Sequence, residues 1–224
     1  NVSVESGDRP RFGFALPAVL VHGVVTRRFT VDLVGRGRVT AAKFRPGGFR
    51  AFTGRLPARN GVAPLGSDLG LDPAALRDAV LTEDDDAART AVLDRALAPL
   101  APTPEPAYLD LLALLDAMIE DRSLVRVDQV AALGGLSTRS LQRLFAGFVG
   151  VSPKKVLARY RLQDAAAAID AGEVDDLAAL AADLGWFDQA HFSREFRIFA
   201  GVTPTEYRRA SPDLPYHLGL AVRR

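Results

Sequence analysis

Hydrophobic positions follow two different rhythms along the chain. Through the first fifty residues they come in short β-rich runs at 12–16, 19–21, 29–33 and 39–44, separated by Pro17, Gly23 and Gly35-Arg36-Gly37. Runs of that length between glycine and proline predict the strands of a small sheet. Arg45-Pro46-Gly47-Gly48-Phe49 then closes the sheet region. From Leu71 the spacing becomes helical, with Leu71, Ala75, Leu76, Ala79 and Val80 on one face behind an Asp72-Pro73 start. Asp84-Asp85-Asp86 opens a second helix running to about Leu100. Acids at a helix N-terminus favour the macrodipole, so their reading is structural rather than metal-binding. Residues 101–106 carry prolines at alternate positions, which neither a helix nor a central strand tolerates, and 101–107 is read as a linker. Beyond it the pattern predicts seven helices, at 108–121, 127–133, 138–148, 153–171, 177–184, 189–199 and 204–210.

This helical part contains an internal repeat. Displaced by 51 positions, the stretch 131–153 repeats itself with nine identities, among them Arg143/Arg194, Phe145/Phe196, Phe148/Phe199, Gly150/Gly201 and Pro153/Pro204; about two would be expected by chance. Gly134 pairs with Gly185 and Ser137 with Asp188 in the same register. Each copy reads as a short apolar helix, a glycine turn, a polar N-cap and a second amphipathic helix, which is the grammar of a helix-turn-helix.

In each second helix the aromatic and leucine positions form a core face, leaving the opposite face to meet something else. That face carries Arg139, Gln142 and Arg143 in the first copy and Gln189, His191 and Arg194 in the second. Arginine suits guanine O6 and N7 in a major groove, and glutamine suits adenine N6 and N7. Arg143 and Arg194 also admit a structural reading, as ion-pair partners inside each motif, and His191 admits an inert one. Trp186 reads as packing rather than as a stacking platform. Between the motifs, the helix at 153–171 is about 28 Å long, against about 34 Å for a turn of B-DNA. It is therefore a strut able to place two readers in successive grooves. Ser137, Lys154, Lys155, Arg159 and Arg161 are the candidates for phosphate contact.

Charge sharpens this picture. Although the net charge is only +1, residues 1–60 hold 11 Lys and Arg against 3 Asp and Glu, residues 61–120 hold 3 against 12, and residues 121–224 hold 14 against 12. The 35 residues from 129 to 163 contain six basic side chains and no acid, a field suited to a polyanion, though a solvated basic face has the same composition. Cysteine is absent, which excludes disulfides, thiolate metal sites and a cysteine nucleophile. With His22 the one histidine before residue 120, no catalytic metal or other cofactor is expected. No signal peptide or membrane-spanning run is seen, and a cytoplasmic location is expected.

The residues that carry the repeat, Leu136-Ser-Thr-Arg-Ser-Leu-Gln-Arg-Leu-Phe145 with Gly150-Val-Ser-Pro153, and Leu184-Gly-Trp-Phe-Asp-Gln-Ala-His-Phe-Ser-Arg-Glu-Phe196 with Gly201-Val-Thr-Pro-Thr-Glu-Tyr-Arg208, strongly resemble the AraC family of transcription regulators. The resemblance spans about residues 111–209. It implies a seven-helix domain with two helix-turn-helix motifs on a long connecting helix, binding promoter DNA, most often to activate transcription. The family's groove-facing positions fall on Arg139, Gln142 and Arg143, and on Gln189, Ala190, His191 and Arg194; Ala190 departs from the polar residue of some relatives. The segment 44–49, Phe-Arg-Pro-Gly-Gly-Phe, resembles less specifically the β-rich N-terminal domains of a bacterial subgroup, implying a unit that senses a ligand or dimerises.

The expected class is α+β. A small N-terminal β-sheet or partial barrel with helices occupies 1–100, which is open at its start since the chain begins at Asn1 with no methionine. The linker 101–107, an all-α DNA-binding domain at 108–210 and a tail at 211–224 follow. The partners implied are double-stranded promoter DNA, RNA polymerase, a small-molecule effector and a second copy, with 71–100 as dimer surface. Phe12, Phe14, Phe29, Phe44, Phe49 and Phe52 line either an effector pocket or an ordinary core. Two other classes compete, an enzyme tethered to DNA and an adaptor for acidic protein. Neither a nucleophile elbow, a His-x-x-x-His pair nor a phosphate-binding loop supports an enzyme.

Overall fold

The structure, a computed structural model, describes residues 1–29 and 34–210. The expected tail 211–224, with His217, and all but Phe29 of the run 29–33 lie outside the described residues. Two compact units form: residues 1–25, 29–109 and 147–150 make one, and residues 26–28, 110–146 and the chain from 151 make the other. The border falls at 109/110, just past the segment expected as linker.

The N-terminal unit is built on four antiparallel strands, β1 (Val2–Gly7), β2 (Ala18–His22), β3 (Gly37–Ala42) and β4 (Val62–Pro64), in the order β3-β1-β2-β4. Val2 lies opposite Val21 and Val4 opposite Val19, so alternate residues of both strands reach one buried face. Against it pack Leu76 and Val80 of α2 (Pro73–Thr82) and Val92, Leu93 and Leu97 of α3 (Asp86–Leu97); Phe49 of α1 (Gly48–Thr53) joins them, with Phe44 and Phe52 at the margin. These three phenylalanines are core. The Asp72 side chain accepts from the Ala74 N–H (2.9 Å), the N-cap expected, and within the acidic run Asp85 caps α3 by accepting from Ala88 (2.8 Å). The acidic run at 84–86 is structural as well, since buried Arg89 donates to Asp86 (2.8 Å) and to the Asp84 carbonyl (2.8 Å).

One strand expectation is corrected, and one strand was not foreseen. Residues 12–16 form no strand: Phe12 and Gly13 take positive φ (54° and 82°), and Arg11 and Phe14 exchange backbone hydrogen bonds of 2.9 Å across the resulting tight turn. The strand at 2–7 was hidden because its second face is polar and nonetheless buried. There Glu5, 2% exposed, accepts from Arg11 (2.9 Å) and from Ser3 Oγ (2.8 Å), with His22 Nε2 at 3.0 Å. A buried carboxylate is tolerable only with such partners.

The C-terminal unit is helical, as the periodicity predicts: α4 (Pro106–Glu120), α5 (Val127–Leu133), α6 (Thr138–Phe148), α7 (Pro153–Asp170), α8 (Leu177–Asp183), α9 (Gln189–Ala200) and α10 (Pro204–Ala210). The first turn of α4 and the last residues of α6 count with the N-terminal unit, where Phe148 stacks on Tyr108 at 5.5 Å. The strut α7 has 18 residues, about 27 Å. It packs against α5, α9 and α10, burying Leu157, Leu162, Ala165, Ala166 and Ile169. Phe192, Phe196 and Phe199 of α9 and Tyr207 of α10 complete the core of the second repeat, and the Tyr207 hydroxyl donates to Asp170 (3.1 Å).

Candidate nucleic-acid interface

Each repeat is a tight helix-turn-helix whose turn is set by backbone hydrogen bonds. In the first, the Gly135 N–H donates to Ala132 O (3.0 Å) and Leu136 to Ala131 O (2.8 Å), with Gly135 at φ 61°. In the second, Gly185 donates to Ala182 O (2.9 Å) and Trp186 to Ala181 O (2.9 Å), with Gly185 at φ 82°. Only glycine takes that φ readily, and at Gly185 a Cβ would also meet the Val125 side chain.

These bonds revise the register of the repeat. Gly135, not Gly134, is the counterpart of Gly185, and Leu136 is the counterpart of Trp186, a displacement of 50. From the N-caps onward the displacement is 51: Ser137 accepts from the Ser140 N–H (3.1 Å), and Asp188 from His191 (2.6 Å). Four residues separate α5 from α6 and five separate α8 from α9. The additional residue is Phe187. Adjacent pairs, Ala131-Ala132 and Gly134-Gly135, let a gapless alignment match identities one position out of true register.

Both reader helices bury one face and expose the other. On α6, Leu141 and Phe145 are fully buried while Arg139, Gln142 and Arg143 are exposed. The Arg143 guanidinium reaches Ser140 Oγ at 3.4 Å, and among the described residues it joins no salt bridge. On α9, Gln189, Ala190 and Arg194 are exposed and His191 is half-buried, over a core face of Phe192, Phe196 and Phe199. All six predicted base-reading side chains therefore lie off the core faces of the two reader helices.

The five predicted phosphate contacts divide. Ser137 is exposed, its hydroxyl engaged in the cap and 2.9 Å from Ser140 Oγ. Lys154 and Lys155 are exposed on the first turn of α7, behind the Ser152 cap, and among the described residues neither is paired with an acid. Arg159 is half-buried, with its guanidinium carbon 4.9 Å from the Phe199 ring centre, and burial lowers its pKa from the usual arginine value. It is thus a packing residue first. Arg161 is a clear correction. It is 2% exposed, donates to Asp164 (2.6 Å) and closes the C-terminal end of α4 by bonds to the carbonyls of Met118 (2.6 Å) and Asp121 (3.0 Å). An arginine enclosed in this way is unavailable to phosphate; helical spacing placed it on the strut without showing that α4 covers that side.

The cap of α10 is reciprocal: Thr203 Oγ1 accepts from the Glu206 N–H (3.2 Å), while the Glu206 carboxylate accepts from the Thr203 N–H (2.7 Å) and hydroxyl (2.8 Å). Those two bonds hold the Glu206 carboxyl below the usual glutamate range. Among the described residues no group of three or more His, Asp or Glu is placed to hold a metal ion, and no helix is long and apolar enough to cross a membrane.

Paired helix-turn-helix motifs on a shared strut define a class of DNA-binding domain, and comparison with known proteins agrees. Residues 130–210 match the family described as "Helix-turn-helix domain", and residues 1–60 match a domain of unknown function, DUF6597. By that match, residues 130–210 belong to a helix-turn-helix domain. The chain is 29% identical over 98 residues to an uncharacterized HTH-type transcriptional regulator of Haemophilus influenzae, the match covering 44% of this chain and 33% of that protein. It is 26% identical over 110 residues to the HTH-type transcriptional regulator GbdR of Pseudomonas aeruginosa, covering 49% and 29%. The matched part thus spans a third or less of these relatives. Among solved structures, a transcriptional regulator from Chromobacterium violaceum with an AraC-type DNA-binding domain is similar at 26% identity and a TM-score of 0.40, covering 48% of this chain and 94% of that one.

Proposed function

We propose that this chain is a sequence-specific DNA-binding transcription regulator, which reads promoter DNA with α6 and α9 and contacts RNA polymerase to activate transcription. The observation that carries the proposal is the presence, within one unit, of two helix-turn-helix motifs with exposed Arg/Gln faces on a common strut of about 27 Å. Arg139, Gln142 and Arg143, with Gln189, His191 and Arg194, are assigned to base edges, and Lys154 and Lys155 to phosphates. In this reading the N-terminal unit senses a small molecule. An open groove between α2 and α3, lined by Leu71, Ala75, Ala79, Val92, Glu83 and Arg95, supports that role. The same helical pair is assigned to homodimerisation, and the protein to the cytoplasm.

Mobility shifts on fragments selected from the source genome test the reading. The protein should prefer one promoter fragment over competitor DNA and lose affinity steeply with salt. Arg143→Ala should weaken specific binding by about 1–3 kcal/mol and relax base choice at one position. Equal loss on random DNA would move Arg143 to the backbone, and no shift on any fragment would overturn the proposal in favour of a protein-binding adaptor.

A further inference from the structure

We infer that Phe187 is a specificity-determining side chain of the second motif, reading a thymine through its 5-methyl group; the inference rests on the DNA-binding reading above.

Phe187 has no counterpart in the first motif. The turn hydrogen bonds are complete at Trp186, the N-cap begins at Asp188, and Phe187 is the residue between them. The fold does not use its side chain. Trp186 makes the packing contact of this turn, 5.1 Å from the Phe192 ring, while Phe187 is 94% exposed. Isolated exposed apolar residues are ordinary and exposure alone decides nothing. Position does: a helix-turn-helix presents the N-terminal residues of its second helix to base edges. Phe187 immediately precedes the cap of α9, at the end that carries Gln189.

Chemistry then selects the contact. The phenyl ring has nothing to donate to or accept from a phosphate or a base edge. Of the groups displayed in a major groove, the thymine methyl is the apolar one. Ala190, in the first turn of α9, is exposed and apolar too. The entry to the second reader thus presents Phe187 and Ala190, whereas the entry to the first presents Ser137 and Arg139. Thymine is expected in the part of the site read by α9.

Substitution of deoxyuridine for thymine removes the methyl group alone. The test is a position-by-position uridine scan of the selected site, with the full chain and with Phe187→Ser. For the unaltered chain, one or two positions on the α9 side should lose about fourfold in affinity, the worth of one buried methyl. Phe187→Ser should bind the thymine site more weakly by a similar or larger factor and show no further loss at those positions, with its thermal midpoint unchanged. Unaltered binding by Phe187→Ser, or weakened binding that keeps the full uridine effect, overturns the inference. So does loss of transcriptional output with DNA binding intact, which would put Phe187 on a polymerase-facing surface. Failure of the unaltered chain to prefer any fragment would instead sink the DNA-binding reading, and this inference with it.

Discussion

Arg161 and Lys154 show how far a basic side chain's identity falls short of its role. Both lie on α7, but Lys154 is exposed, whereas Arg161 satisfies two carbonyls at the end of α4 and pairs with Asp164. Removing a buried hydrogen-bonded charge strands its partners. Arg161→Ala should therefore cost about 2–4 kcal/mol of stability, visible in denaturant unfolding. Lys154→Ala should leave the unfolding midpoint in place and weaken specific and random DNA alike, reducing the salt slope by about one. The reverse pattern would return Arg161 to the phosphate backbone. Residue type and helical spacing were legible in the sequence; the covering of one side of α7 by α4 was not, because it depends on contacts 40 and 43 positions away.

At the scale of elements, the sequence was most informative where the signals are local. Helix starts at Asp72, Ser152, Asp188 and Thr203 are each a short polar residue ahead of an apolar period, and each caps its helix, as Asp85 does within the acidic run. The strand at 2–7 escaped because its polar face is buried by a pairing that involves Arg11 and His22, residues outside its own pattern. Likewise the four-to-five difference in turn length was invisible to an alignment scored by identity, and Phe187 was missed with it. The reciprocal cap of α10 has a pH signature. Since the folded-state pKa of Glu206 is depressed, its contribution is fully present above the usual glutamate range and is lost as pH falls through the lower folded value. The difference in thermal midpoint between the unaltered chain and Glu206→Ala should be constant near neutrality and shrink in that acidic window. A difference independent of pH would mean that the carboxylate charge plays no part in the cap.

Across the whole molecule, charge is sorted along the chain. The acidic stretch 61–120 includes α2 and α3, while the acid-free stretch 129–163 includes α6 and most of α7. The N-terminal unit joins the basic stretch 1–60 to the acidic stretch 61–109, so charge alone does not choose between the units, and the acid-free run lies chiefly in the C-terminal one. Homodimerisation through α2 and α3 predicts a two-copy species in sedimentation velocity at micromolar protein; monomer alone at that concentration would remove it. The additional residue between α8 and α9 carries a consequence for a bound chain. Because its two halves are not interchangeable, the protein has a head and a tail. If the proposed function holds, a promoter element turned end for end should be gripped as firmly as before and yet fall silent, which a reporter assay beside a mobility shift would check.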